Sequence, residues 1–128
     1  MPASADIAAY LAANLTGGHV VGTDIFSSQM PDAPDTAICV YQTGGLKPYG
    51  QDSVEYPGIQ IIVRAAAAAD AEALANQILL LLKLVVNVTI GSHVYHYIEP
   101  QGSFINMGQD DKLRVACTIS FICMKDME

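Results

Sequence analysis

Basic side chains are scarce in this sequence. Six lysines and arginines stand against thirteen aspartates and glutamates, a formal net charge of −7. Cations so few and so scattered cannot grip nucleic-acid phosphates, which excludes a chain that holds DNA or RNA by its backbone. An acidic wall past which nucleic acid slides without sticking is not excluded. Charged residues of both signs make up only 15% of the chain against 52% apolar, with a mean hydropathy of +0.32. A small monomer with so little charge has difficulty covering itself with polar surface, so the balance favours assembly. Cysteine is also sparse: three residues, an odd number, without CxxC spacing. Cys117 and Cys123 are six apart in an expected strand and therefore share a face. They read as buried reduced thiols before they read as a metal or redox pair. The chain opens without a signal-like segment, so the N-x-T triplets at Asn14 and Asn87 carry no glycosylation meaning. An intracellular, soluble protein is expected.

Catalytic signatures are missing as well. There is no G-x-S-x-G, H-E-x-x-H or Walker sequence. Gly17-Gly18 and Gly44-Gly45 are turn glycines, and neither opens a helix as a phosphate-binding loop does. His93 and His96 resemble a ligand pair, but a spacing of three in a strand sends them to opposite faces. Asp110-Asp111 reads as a solvated turn, and Cys39 has no base near it in sequence. Neither a cofactor nor a metal is expected, and the balance leans against an enzyme.

At 128 residues the chain is long enough for one domain with a sizeable core. Its centre is the stretch from Pro57 to Val88. Ile59 to Arg64 is β-branched behind a Pro-Gly turn and predicts a strand. Asp70 through Val86 is rich in Ala, Leu, Glu and Gln without Gly or Pro, and predicts the main helix. Asp70 and Glu72 suit the positive end of its dipole and Lys83 the negative end. Leu74, Ile78, Leu81, Leu82 and Val85 make one apolar face, enough to cover a sheet. Leu79, Leu80, Leu84 and Val86 then fall around the rest of the circumference, so a second face is a candidate contact with another subunit. The run is too short and too interrupted to span a membrane.

The remaining elements follow in order. Ser4 is placed to cap a helix through Ile7, Ala8, Leu11, Ala12 and Leu15, stopped by Gly17-Gly18. His19 to Phe26 carries a mixed signal that suggests a short strand with Val20, Val21 and Ile25, and Ser27 to Asp35, with Pro31 and Pro34, is a loop. Thr36 to Thr43 is a strand. The polar, glycine-rich connection up to Tyr56 is the longest between two strands, a length typical of functional loops. Val94 to Glu99 is a strand, Phe104 to Met107 a short one, and Gly108 to Lys112 a tight polar turn. The last strand alternates cleanly, with Leu113, Val115, Cys117, Ile119 and Phe121 on one face. The order α-β-β-α-β-β predicts an α+β fold: a single-domain sandwich, residues 1–128, of a mainly antiparallel sheet with two helices packed on one face.

Several of these features, in this order, resemble the minor capsid or tail-terminator (tail completion) proteins of long-tailed phages. They are Met30-Pro31-Asp32-Ala33-Pro34-Asp35, a strand and then Thr43-Gly44-Gly45, Ile61-Ile62-Val63-Arg64 running into an alanine-rich helix, and Gly108-Gln109-Asp110 before the final strand. The resemblance spans nearly the whole chain. It implies a structural virion protein without catalysis. Such a protein forms a homo-oligomeric ring, usually a hexamer, on the head-proximal end of the tail tube, is assembled in the host cytoplasm, stops tube polymerisation and meets the head connector. The expected partners are further copies of the chain, the major tail tube protein and a connector or stopper protein, with genomic DNA passing through unbound. Lys47, Tyr49 and Asp52 are the candidate contacts with tube or channel. Gln109, Asp110, Asp111 and Lys112 are candidates for a second partner. Arg64, Leu79, Leu80 and Leu84 are candidates for the subunit interface, with an intrachain role for Arg64 equally open. Two alternatives stand beside this reading: another head–tail connector or stopper, and a small enzyme or ligand-binding dimer using Cys39, His93 or His96.

Overall fold

A computed structural model of the chain describes residues 3–16, 18–46 and 54–126. The elements in order are α1 (Ala3–Asn14), β1 (Ile25–Ser27), β2 (Ala37–Leu46), β3 (Val54–Ala65), α2 (Ala68–Leu82), β4 (Val86–Ile90), β5 (His93–Pro100), β6 (Ile105–Gln109) and β7 (Val115–Asp126). One seven-stranded sheet runs β1-β2-β3-β7-β5-β4 and curls into a half-barrel. β6 continues β5 along the same edge of β7 after a kink. β5 occupies β7 from Lys125 to Phe121, and β6 occupies it from Thr118 to Val115.

Alternation along β7 decides which side is core. Val115, Cys117, Ile119, Phe121 and Cys123 are buried and lie level with Ile38, Val40, Ile59, Ile61 and Val63 of β2 and β3. This concave face carries both helices. α2 covers β3 and β7, while α1 lies across β1 and β2 and reaches the β4–β5 end. The α+β class with helices on one face stands, and two parts of the sequence expectation need correction. The sheet is mixed, because β1 pairs parallel with β2; the chain between them, residues 28–36, crosses the outer face to start β2 from the same end. The sheet is also strongly curled, so the two helices fill a trough.

A further correction concerns the apolar run after Asp70. The helix ends at Leu82, Lys83 forms its C-cap, and the chain turns into β4. Val85, Val86, Val88, Thr89 and Ile90 are β-branched, lose side-chain freedom in a helix and suit a strand. The buried seam of α2 is Ala71, Ala75, Ile78 and Leu82, with Leu74, Leu79 and Leu81 only half-buried. Small alanines let the helix backbone sit close to the sheet, which pushes the leucines to its flanks. Ser4 is the second residue of α1 and not its cap. Among the described residues no helix is long and apolar enough to cross a membrane.

Pro57-Gly58 is inside β3 rather than bounding it. A register shift between Thr43 and Leu46 accommodates the proline, as bulges commonly do. Gly45, at φ +65°, lies against the Tyr56 carbonyl and the Gly58 backbone, where any Cβ would collide.

Candidate functional site

The Met30–Asp35 loop is held down by two arginines. Arg64, near the end of β3 and 7% exposed, donates from Nε to the Asp35 carbonyl (3.1 Å) and from Nη2 to the carbonyls of Asp32 (3.3 Å) and Pro34. Arg114, just before β7, donates to the Asp32 carbonyl and pairs with the carboxylates of Asp32 (3.1 Å), Asp35 (3.5 Å) and Asp110 (2.7 Å). Lys112 also pairs with Asp32. The neighbouring cations hold the Asp32 carboxyl below the usual carboxylate range, Lys112 most and then Arg114; Arg114 does the same for Asp110. Arg114 is raised by its bond to Asp110, whereas burial, and then Arg114 itself, lowers Arg64. The loop seals the outer face of β2, where Ala37 and Cys39 are fully buried.

This network decides how much of the predicted Gly108–Lys112 turn faces outward. Gln109 ends β6 and is exposed. Asp110 accepts from the backbone N–H groups of Lys112 and Arg114 and from the Arg114 side chain. Lys112 is on Asp32. Asp111 is exposed, with no ion pair or hydrogen bond from its side chain among the described residues. Lys47, Tyr49 and Asp52 lie outside the described residues. Gly44, Gly45, Val54, Glu55 and Tyr56, expected within that connection, belong to β2 and β3.

The interface candidates separate. Arg64 turns its guanidinium onto its own chain. Leu79 packs half-buried against the core, while Leu80 is 44% and Leu84 74% exposed. Val86, on the following strand, is 62% exposed. A second apolar patch was not expected from the sequence: Ile105 (63%), Met107 (50%) and Leu113 (67%), on β6 and after the turn. Its signal was present in the apolar Ile105 and Met107 of a short strand beside a polar turn. The kink at residues 101–104, which lifts β6 off the core, could not be read from that pattern. A third patch, Val20 and Val21, borders a shallow groove of about 320 Å³ lined by Val21, Ile25, Phe26 and Pro31.

The residues of the enzymatic alternative are not brought together. Cys39 is fully buried and its thiol is pushed up by that burial; Cys117 and Cys123 are raised for the same reason, Cys123 to about 12. A raised thiol is the reverse of an activated nucleophile. Tyr41 is pushed up to about 12 by burial and then by its hydrogen bond with Cys39. His96 lies 2.8 Å from Asp126. His93 is on the concave side, with Nδ1 3.2 Å from the fully buried carboxylate of Asp6, which also accepts from the Tyr95 hydroxyl at 2.9 Å. Burial and then the Asp6 bond raise Tyr95 strongly. This buried trio ties α1 to β5 across the trough. Among the described residues no group of three or more His, Cys, Asp or Glu side chains is arranged to hold a metal.

A family model described as bacteriophage tail terminator protein matches residues 11–126. The chain belongs to the phage tail terminator family. The match takes in the arginine-held loop, the kinked β5–β6 edge and every strand of this tail terminator. No curated protein matches the sequence. Among solved structures 17 chains match; one superimposes with a TM-score of 0.56 at 12% identity, over 98% of this chain and 91% of its own. At that identity the likeness speaks for the fold alone.

Proposed function

We propose that this tail terminator closes into a ring of six chains on the head-proximal end of the phage tail tube, ends tube growth there and presents its other side to a head connector or stopper protein. Membership of the family supports a structural role in the phage tail, and one feature of the surface carries the step to a ring. The chain is poor in charge, yet large apolar side chains stay exposed in separate patches at Leu80, Leu84 and Val86 and at Ile105, Met107 and Leu113. Contiguous exposed apolar surface on a small protein marks contact with another protein. A closed ring covers two patches per chain.

Six chains at −7 each bring −42 to the ring, a field that repels DNA passing through the channel. In this reading the connection carrying Lys47, Tyr49 and Asp52 reaches the tube or lines the channel. The turn after β6 offers Gln109 and Asp111 to a neighbouring protein, because Asp110 and Lys112 are held within the chain. The role is structural, without a cofactor or catalysis.

Light scattering across a wide concentration range, followed by negative-stain imaging, tests the ring. A mass of about six chains with a central channel is the expected result, and a stable dimer overturns it. Adding the protein to polymerising tail tube protein separates the terminator from a stopper. A terminator leaves short tubes capped at one end, whereas unchanged tube lengths overturn the capping role.

A further inference from the structure

We infer that neighbouring copies of this chain join head to tail: the C-terminal end of α2 on one copy, with Leu80, Lys83, Leu84 and Val86, seats against the β6 edge of the next, with Ile105, Met107, Asp111 and Leu113. The inference rests on the ring reading and names the contact that closes it. The two patches are at opposite ends of the sheet. Val86 is level with Tyr97 and Met124, whereas Ile105 and Asn106 are level with Thr118 and Cys117. The seven residue steps along β7 from Cys117 to Met124 separate them by about 23 Å along the strand. One chain therefore cannot cover one patch with the other. A contact of either patch with its own copy gives a dimer and stops, while a contact between the two different patches leaves one of each open and continues until the ring closes.

Charge complementarity selects the second copy as the occupant. Among the described residues, Lys83 is the one lysine or arginine whose charged group has no partner. Lys112, Arg114 and Lys125 pair with Asp32, Asp110 and Glu55, and Arg64 is bound to carbonyls. It stands between Leu80 and Leu84 at the cap of α2. Asp111 is the matching carboxylate. It is exposed beside Leu113 and without a partner among the described residues, while Asp110 and Lys112 on either side are engaged. A rim pair of this kind fixes register and orientation more than affinity, with the apolar side chains supplying the binding. β6 also has β7 on one side and no described strand on the other, so its outer edge is open to the neighbour.

The test is Leu84→Asp and Met107→Asp, made separately, with mass measured by sedimentation velocity. Both positions are exposed, so folding is unchanged, which far-UV circular dichroism and melting check. Each variant alone is expected to run as one chain under conditions where the wild type forms the ring. Mixed in equal amounts they are expected to form a species of two chains that grows no further, because each keeps the patch the other has lost. In a second pair, Lys83→Glu weakens assembly at least tenfold and Asp111→Lys in the same chain restores it. A wild-type ring that survives both aspartate substitutions, or variants that fail to combine on mixing, overturns this contact and leaves the ring reading standing. A wild type that remains one chain at every concentration overturns both.

Discussion

Replacing Arg64 by methionine separates its two possible roles. Methionine keeps most of the aliphatic stem inside β3 and removes the donors that reach the carbonyls of Asp32, Pro34 and Asp35. A hydrogen bond from a charged donor contributes about 1.5–3 kcal/mol net. Three such bonds do not add in full here, because the loop residues that accept them are exposed and water replaces the arginine as the loop loosens. Loss of the charge also relieves repulsion from Arg114, one of the causes that lower Arg64. The net loss expected is about 2–3 kcal/mol, a fall of roughly 6–12 °C in Tm for a chain of this size. Arg64→Lys keeps the charge but reaches fewer carbonyls, and is expected to lose about half as much. Urea unfolding followed by circular dichroism at fixed protein concentration gives the free energy. The loop covers Cys39, so the same variant is expected to make that thiol react faster with a thiol reagent, while the mass of the assembly stays that of the wild type. A loss below about 0.5 kcal/mol with Cys39 still protected would refute the pinned-loop reasoning. Unchanged stability with lost assembly would instead place Arg64 between subunits.

Asp6→Ala removes the acceptor of the buried Tyr95 hydroxyl and the carboxylate beside His93, and is expected to cost about 2–4 kcal/mol by urea unfolding. Asp6→Asn keeps an acceptor and should cost less; equal losses would show that the bond to Tyr95 is not what matters. On the acid side, Asp110 titrates below its ordinary 3.8 in the folded chain, so its stabilisation is full above that value and is lost as pH falls below it. Asp110→Asn should flatten the fall in Tm on acidification below about pH 4, and an unchanged acid limb counts against the Arg114 pairing. On the alkaline side, the Cys123 thiol ionises at about 9.0 when unfolded and about 12 when folded, so stability falls as pH climbs between those values. Cys123→Ala should reduce that slope, read from melts at pH 8 to 11, and an unchanged slope would show that the thiol is not buried as the fold places it. All three thiols should react slowly in native protein and together on unfolding; one fast native thiol would revive the enzymatic alternative.

The sequence showed the class of the fold and most of its elements because their periodicities are local. Alternation in β7 named the core face at Val115, Cys117, Ile119 and Phe121, although Leu113, expected on that face, stands before the strand and is 67% exposed; the alanine-rich stretch placed the start of α2 within two residues. The same logic failed from Lys83 to Val86, where the apolar Leu84-Val85-Val86 suits helix and strand alike; only Tyr95 and Tyr97 of β5, paired with Val88 and Val86, settle the following segment as β4. Arg64 was legible as important, with a subunit contact and an intrachain role equally open, and the sequence could not decide because its acceptors are backbone carbonyls some thirty residues away. The β6 patch was missed because exposure depends on a kink, and Asp6 because its partners are far along the chain in β5.

By itself, then, the sequence determined what local chemistry determines: an acidic, charge-poor α+β chain without a catalytic signature, two helices, and an ordered set of strands and turns that resembles a phage tail terminator. Tertiary structure decided what depends on distant residues meeting. It curled the sheet, laid β1 parallel to β2, and engaged the cations around Asp32 inside the chain. It also left Lys83 and Asp111 exposed beside apolar side chains at opposite ends of the sheet, without partners among the described residues. Burial and ion pairing are properties of neighbours in space, and most of those neighbours are tens of residues apart in sequence.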